Sequence, residues 1–470
     1  MHMTNRRAGC EHNPLPSPSH VRSAVARWGH RQFGGNMKRS RYFPVAIAGV
    51  ITALTLSACG GSTGGTPNAD ADIVEQSSAP NTDKCGLGNG TKATGDPITI
   101  GSIATMSKGL DFSSAPLAAK AYFECVNANG GINGRPIEFV LEDDGLDPQK
   151  VGALAERFAG DQSVVAMVAS ASFIGCAIVN PIWVEANLYE IAGVGTQRAC
   201  FNSSNIAPVN AGPRLSSIAA TQYLVEDKGI KTFGQLALGI PELGDWAIEG
   251  VNEYLATVGG SSVINELLPP PVSNAAPVMN LINSENPGAF GVWLPAPDAT
   301  VVLKAAEQQN LGDKVEFSCQ TTCYDTTFPS QVGPYWNGKF TANSEFSLLD
   351  ATTPDNQQWR AIIQKYGSAD QPRDSFSQAG FIGAMIVVKA LLSLEPDKIS
   401  RDTASEAIVN VKGFSTDMLC KPWYYGKSDR HNANNSMRQV MIDDEGKWAI
   451  AKDCFVVADP ALAEVLKAEQ

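Results

Sequence analysis

"AAKAYFECVNANGGINGRPIEFVLEDDGLDPQK", residues 118–150, runs from a helix through a tight reversal into a strand and on to the next helix. Its first part has helical spacing and ends at Gly130-Gly131. Gly130, Gly131 and Gly134 allow the chain to reverse sharply out of that helix. "IEFVLED" (137–143) then reads as a strand, and Asp144 and Asp147 with Pro148 suit the turn and N-terminus of a second helix.

The same alternation extends outward on both sides. "ITIGSI" (98–103), "VVAMVAS" (164–170) and "YEIAGVG" read as strands, separated by "QKVGALAERFAGD" and "AIVNPIWVEAN" as helices. Further on, "SIAATQYLVEDKG" leads to "FGQLALG", "DWAIEGVNEYLATVG" to "VINELL" and "APVMNLINSE" to "AFGVWLP", and "ATVVLKAAEQQN" precedes "VEFSCQ". Strands alternating with helices of this length predict mostly parallel sheets covered on both faces. A body of about 370 residues is large for one such sheet, so two α/β lobes are expected.

Upstream of Ile98 the composition changes. Lys38, Arg39 and Arg41 precede the apolar run Val45–Leu56, which is too short for a permanent membrane span and reads as a secretory leader starting at Met37. Leu56-Ser57-Ala58-Cys59 resembles the lipobox of bacterial lipoproteins, which implies lipidation of Cys59. Residues 1–36 then read as an upstream extension or a misplaced start, 37–58 as signal peptide, and 59–96, rich in Gly, Ser, Thr, Asn, Asp and Pro, as a flexible tether. Gly60-Gly61-Ser62-Thr63-Gly64 matches a hydrolase pattern by accident, because tether rather than strand and helix flanks it.

Residues 1–58 hold eight of the 36 basic and one of the 48 acidic groups, so the chain from Cys59 onward carries a net charge of −19. Such a surface repels phosphate backbones and excludes nucleic acid as a partner. Eight cysteines remain beyond Cys59: Cys85, Cys125, Cys176, Cys200, Cys319, Cys323, Cys420 and Cys454. An even number in an exported chain indicates disulfides, with about a hundred connectivities left open by spacing alone. With no CxxC and only His431 left after processing, neither a metal site nor a cofactor is expected. His431 also has no obvious serine partner, which argues against a hydrolase.

Residues 98–147 resemble the opening of type I periplasmic solute-binding proteins of the branched-chain amino-acid (Leu/Ile/Val) class. "ITIGSIATMS" and the helix-NxxGGINGRxIE-strand-xxDDxxDP pattern carry the resemblance, which continues more loosely to about residue 455. It implies two Rossmann-like lobes with parallel central sheets, joined by a three-crossover hinge, that close on a small molecule and present it to an ABC permease. Lobe I is expected at 97–216 with 345–412, and lobe II at 217–344 with 413–470. A lipid-tethered form would lie on the extracytoplasmic face of the cell membrane; a sensory subunit of the same fold, acting through a separate membrane partner, is the alternative.

On that fold, ligand contacts fall at strand C-terminal ends and helix N-termini. In lobe I these are Phe112 and Ser113, then Ser170, Ala171 and Ser172, expected to receive an anionic ligand end, and Gly195-Thr196. In lobe II the facing loops are 239–246, 294–299 and 318–324, giving Trp246, Pro295, Gln320 and Thr321. The family places a carboxylate for an α-ammonium in the last of these loops. None stands at Gln320 or Thr321, so ordinary amino acids are expected to bind poorly and a carboxylate, amide or aromatic solute better. Placing the cysteines on the two lobes further suggests the pairs 319–323, 176–200, 85–125 and 420–454.

Overall fold

The structure, a computed structural model, describes residues 84–107, 110–426 and 428–469; the leader, Cys59 and most of the tether lie outside the described residues. β1 (Ile98–Ala104) is followed by a short hairpin, β2 (Met106–Ser107) and β3 (Leu110–Asp111), then α1 (Ser114–Ala128) and β4 (Ile137–Asp143). Next come α2 (Pro148–Gly160), β5 (Val164–Val168), α3 (Cys176–Glu185), β6 (Glu190–Ala192), α4 (Arg198–Phe201) and β7 (Ile206–Pro208). The longer strands form a parallel sheet in the order β4-β1-β5-β6-β7. β5, Val-Val-Ala-Met-Val, is buried throughout, as a strand covered on both faces must be.

The second lobe begins with α5 (Gly212–Glu226), β8 (Thr232–Leu238), α6 (Gly244–Thr257) and β9 (Ser261–Leu268). α7 (Ala276–Glu285), β10 (Ala289–Trp293), α8 (Ala296–Gln308), β11 (Glu316–Cys319), α9 (Phe328–Val332) and β12 (Phe340–Ser344) follow. The chain returns to the first lobe for α10 (Pro354–Tyr366), α11 (Ser375–Leu392) and α12 (Arg401–Val409). It ends in the second lobe with β13 (Ser436–Ile442), β14 (Trp448–Val456) and α13 (Ala463–Glu469). That sheet runs β14-β13-β12-β11-β10-β8-β9, parallel except for the antiparallel β12-β13-β14 edge. The molecule is thus an α/β protein of two mostly parallel sheets.

The reversal motif does local work. At Gly131 (φ 60°) a Cβ would lie 2.2 Å from the Arg135 carbonyl, so only glycine fits the turn between α1 and β4. Asp143 accepts N–H bonds from Met106 and Gly145 at 3.0 Å, and Asp147 caps α2 through Gln149 N–H at 2.9 Å. α11 is the one helix among the described residues long and apolar enough to cross a membrane, and it is 78% buried as the core helix of lobe I. It crosses α1 so closely that a Cβ on Gly380 would come within 1.9 Å of the Ala115 carbonyl oxygen.

Three crossovers join the lobes, and Asn434 on the third holds the other two. Its amide donates to the carbonyls of Val209 (3.2 Å) and Glu345 (3.3 Å). α5 packs on α6 and on β10–β13, so the first crossover ends before Gly212 rather than at 216. Within 411–431, Trp423 Nε1–H bonds Pro208 O at 3.1 Å and His431 N–H bonds Phe201 O at 2.8 Å. That segment is fastened to lobe I, and the chain passes into lobe II near 432 rather than 413.

The tether expectation needs a similar correction at its end. Residues 84–96 are held on lobe I by a Cys85–Cys125 disulfide and by Ala93 N–H to Asn127 O at 2.8 Å. The other sulfurs pair as Cys176–Cys200, Cys319–Cys323 and Cys420–Cys454. Arg214, buried on α5, pins α6 and the C-terminal segment through Glu253 (2.5 Å) and Asp459 (2.8 Å).

Candidate functional site

The strands of both sheets end at a cleft between the lobes. An inner chamber lies there, walled by Phe112, Phe173 and Phe376 from lobe I and by Leu238, Leu243 and Pro295 from lobe II. Its polar groups are Thr196, Asn210, Ser216, Gln320, Thr321, Thr322 and Glu345. An outer, roomier chamber of about 330 Å³ shares Phe112, Phe173, Pro295, Thr321, Thr322 and Phe376 with it and adds Asp111, Asp325 and Asp374. The Phe112 ring sits 4.3 Å from Phe173 and 4.8 Å from Phe376, centroid to centroid, so three aromatic rings mark the waist. The lobes also touch directly. Arg198 N–H bonds Glu242 O at 2.9 Å, the Arg198 guanidinium pairs with Glu249, and Phe201 meets Trp246 at 5.3 Å.

Of the residues named from sequence, Phe112, Gly195, Thr196, Pro295, Gln320 and Thr321 come together on the inner chamber. Gly195 is clamped to the first crossover, its N–H donating to Asn210 Oδ1 at 2.7 Å. Thr196 spends its hydroxyl hydrogen on Ser172 O at 2.9 Å and keeps its lone pairs. The chamber does not include Ser113, Ser170, Ala171, Ser172 or Trp246. Ser113 N–H turns to Asp111 at 2.8 Å, and both backbone groups of Ala171 are taken by Ile103 and Thr105. Ser170 hydrogen-bonds the buried Glu190 inside lobe I, and Ser172 donates to Asp144 at 2.5 Å. Asp144 also holds Thr105, so these hydroxyls fix the β1 and β5 loops to one another instead of facing the cleft. Trp246 packs on Phe201 and Arg198, and Trp293 donates to Gln235 at 2.9 Å within the lobe II core.

Sequence reading missed the acid. Glu345, the residue after β12, lines the inner chamber with no solvent exposure. Its carboxylate accepts bonds from the Ser216 hydroxyl and from Ala211 N–H (3.0 Å), and so closes the N-terminus of α5. Burial pushes its carboxyl up to about 7, against those two donors. It stands not in the loop after β11 but at the end of the neighbouring strand, on the second crossover. Phe173, Phe376 and Asn210 were missed as well, Phe376 because it reaches the cleft from a helix some 200 residues beyond the lobe I loops.

Residues 97–447 match the family described as periplasmic binding protein. The chain belongs to that family. Its fold is the type I two-lobe arrangement, and many solved structures share it. A fatty acid ABC transporter substrate-binding protein from Thermomonospora curvata is similar at 22% identity and TM-score 0.68, over 79% of this chain and 96% of that one. A branched chain amino acid ABC transporter structure from Thermus thermophilus with bound valine gives 16% and 0.67, over 78% and 98%. The solute binding protein of an ABC transporter from R. palustris, in complex with 4-hydroxybenzoate, gives 20% and 0.65, over 78% and 100%. A comparison with curated proteins finds no match.

In this binding protein no Lys, Arg or His among the described residues lines either chamber. The Ser170 and Ser172 hydroxyls expected to receive an anionic ligand end are committed elsewhere. Among the described residues no grouping of His, Cys, Asp and Glu could hold a metal ion. His431 sits in the third crossover, 2% exposed, with Nδ1 bonded to Tyr425 O at 2.5 Å and its proton affinity lowered by burial.

Proposed function

We propose that this chain is the solute-receiving component of an ABC importer, anchored by lipid at Cys59 to the extracytoplasmic face of the cell membrane and handing a small molecule to a membrane permease. The observation that carries it is the chamber itself, built from loops of both lobes and placed against three crossovers that can act as one hinge. Two acyl chains, at about 0.8 kcal/mol per buried CH₂, make such an anchor durable. The solute is a small molecule with an apolar or aromatic body, matched to Phe112, Phe173, Phe376, Leu238 and Leu243, and a polar end near Thr196, Asn210, Gln320 and Glu345. Related folds hold valine in one case and 4-hydroxybenzoate in another, so the scaffold accommodates both kinds of body.

Native mass spectrometry of protein purified from its own cells tests this reading, with a retained small molecule lost on unfolding as the expected result. Cys59→Ser should shift the protein out of the membrane fraction. Unchanged mobility and detergent partition in that variant would remove the anchor from the proposal.

A further inference from the structure

We propose that Arg198 sets solute affinity from outside the chambers: it clasps lobe I to lobe II at the cleft rim and holds a closed population even when no solute is bound. This rests on the solute-binding reading above and names a positioning residue for the same site.

The short helix α4 is held firmly on its own side of the cleft. It follows directly on Gly195 and Thr196, which line the inner chamber. Cys200 is bridged to Cys176 at the start of α3, and Phe201 O accepts His431 N–H of the third crossover at 2.8 Å. The Phe201 ring packs on Gly195 and Gly212, where a Cβ would lie 2.9 Å and 2.3 Å from it. Both glycines belong to the chamber wall, so that wall and the root of α4 form one packed unit. A shift at the wall is therefore felt by α4.

From that base α4 makes contacts that exist only while the lobes are together. Arg198 N–H bonds Glu242 O at 2.9 Å, and the Arg198 guanidinium pairs with Glu249 on α6. The same guanidinium lies 5.9 Å from the Trp246 ring, and Phe201 meets that indole at 5.3 Å. Glu249 is placed for the task. Its other oxygen lies 3.9 Å from Nη1 of Arg214, the buried cation of α5, so one carboxylate spans a guanidinium from each lobe. An isolated exposed ion pair contributes little, and these side chains are 37% and 44% exposed. Here the pair is joined by a backbone bond, a ring contact and a cation over an indole, all of which break together on opening. Neither Arg198 nor Glu249 lines a chamber, so the clasp acts whatever the solute is. Apparent affinity scales with the population of the binding-competent form, which ties the clasp to the strength of capture.

The test is the interlobe distance in the solute-stripped full chain, read between spin labels carried on non-canonical residues in α1 and α7. The unaltered chain should show a closed population. Arg198→Ala and Glu249→Gln should each lower the closed-to-open ratio about threefold, and the double variant little further, since both remove one shared contact. A residue that served folding alone would lower the melting temperature and leave the distances unmoved. Should Arg198→Ala fold poorly, Glu249→Gln still decides. A stripped chain that is wholly open, or distances that neither single variant moves, overturns the inference. Native mass spectrometry of each form purified from its own cells separates the two levels. Less solute retained by Arg198→Ala than by the unaltered chain supports the clasp. Equal retention with unmoved distances sinks it and leaves the solute-binding function standing. Shifted distances with no solute retained by any form would keep the clasp and remove the solute-binding reading on which its role in affinity rests.

Discussion

Glu345 shows what a single side chain can hide from a reader of sequence. "FTANSEFS" (340–347) has no apolar alternation, because β12 is a central strand buried on both sides with polar residues that bond across to its neighbours. Without recognising that strand, nothing marks the next residue as a cleft residue. Gly195, Thr196, Pro295, Gln320 and Thr321 were legible because each follows a strand with an obvious pattern. Ser170 and Ser172 were legible as loop residues only, since hydroxyl direction is set by Glu190 and Asp144. The raised Glu345 carboxyl has a consequence for stability. With a folded value of about 7 against an ordinary 4.5, the native state takes up a proton between the two. Its contribution is complete below pH 4.5 and is lost as pH rises through 7. Ligand-free protein should therefore lose up to about 3 kcal/mol between pH 4.5 and 8 from this group, and Glu345→Gln should flatten that part of the profile in urea titrations. An unchanged slope in the variant would assign the pH dependence to another group.

At the scale of elements, the helices and long parallel strands follow their apolar periodicity closely. The misses include central β12, nine-residue α12, three-residue β7, four-residue α4, and the β13–β14 hairpin, whose outer strand is nowhere fully buried. Such elements are fixed by neighbours already in place rather than by their own pattern. The loop after β11 is another case. Cys319 and Cys323 close it with a disulfide around a short 3₁₀ turn, and the residues between them, Gln320, Thr321 and Thr322, all line the inner chamber. Replacing both cysteines by alanine should cost about 2 kcal/mol of global stability, the loop-closure entropy of so short a ring. Hydrogen exchange should rise in 320–326 and stay unchanged in lobe I. Uniformly faster exchange would mean that the bridge supports the whole lobe and not this loop alone.

For the whole molecule, two lobes and a binding role were readable from strand–helix alternation and the GGINGR motif, but the handover points were not. No pattern in the sequence says that 411–431 stays with lobe I, because its attachment is made by scattered bonds, from Trp423 and His431 and between Thr416-Asp417 and the start of α10. The hinge itself depends on Asn434, whose one amide serves two carbonyls on different crossovers. Asn434→Ala leaves both buried carbonyls short of a donor, at about 1–3 kcal/mol, and should lower the melting temperature of the whole protein in one transition. Two separated transitions would show that the lobes unfold independently once the pin is gone.

The Cys420–Cys454 bridge joins the segment fastened to lobe I with β14 of lobe II. A pivot lets two bodies rotate; a covalent strap between them also limits how far. The gape of the empty protein is then set by chain length between the strap and the pivot and not by the balance of weak contacts, so the jaw returns from a bounded arc each time solute leaves. Spin labels on the two lobes should report a narrow spread of distances in the empty protein, and Cys420→Ser with Cys454→Ser should broaden it toward wider openings. If the spread does not change, the arc is bounded elsewhere.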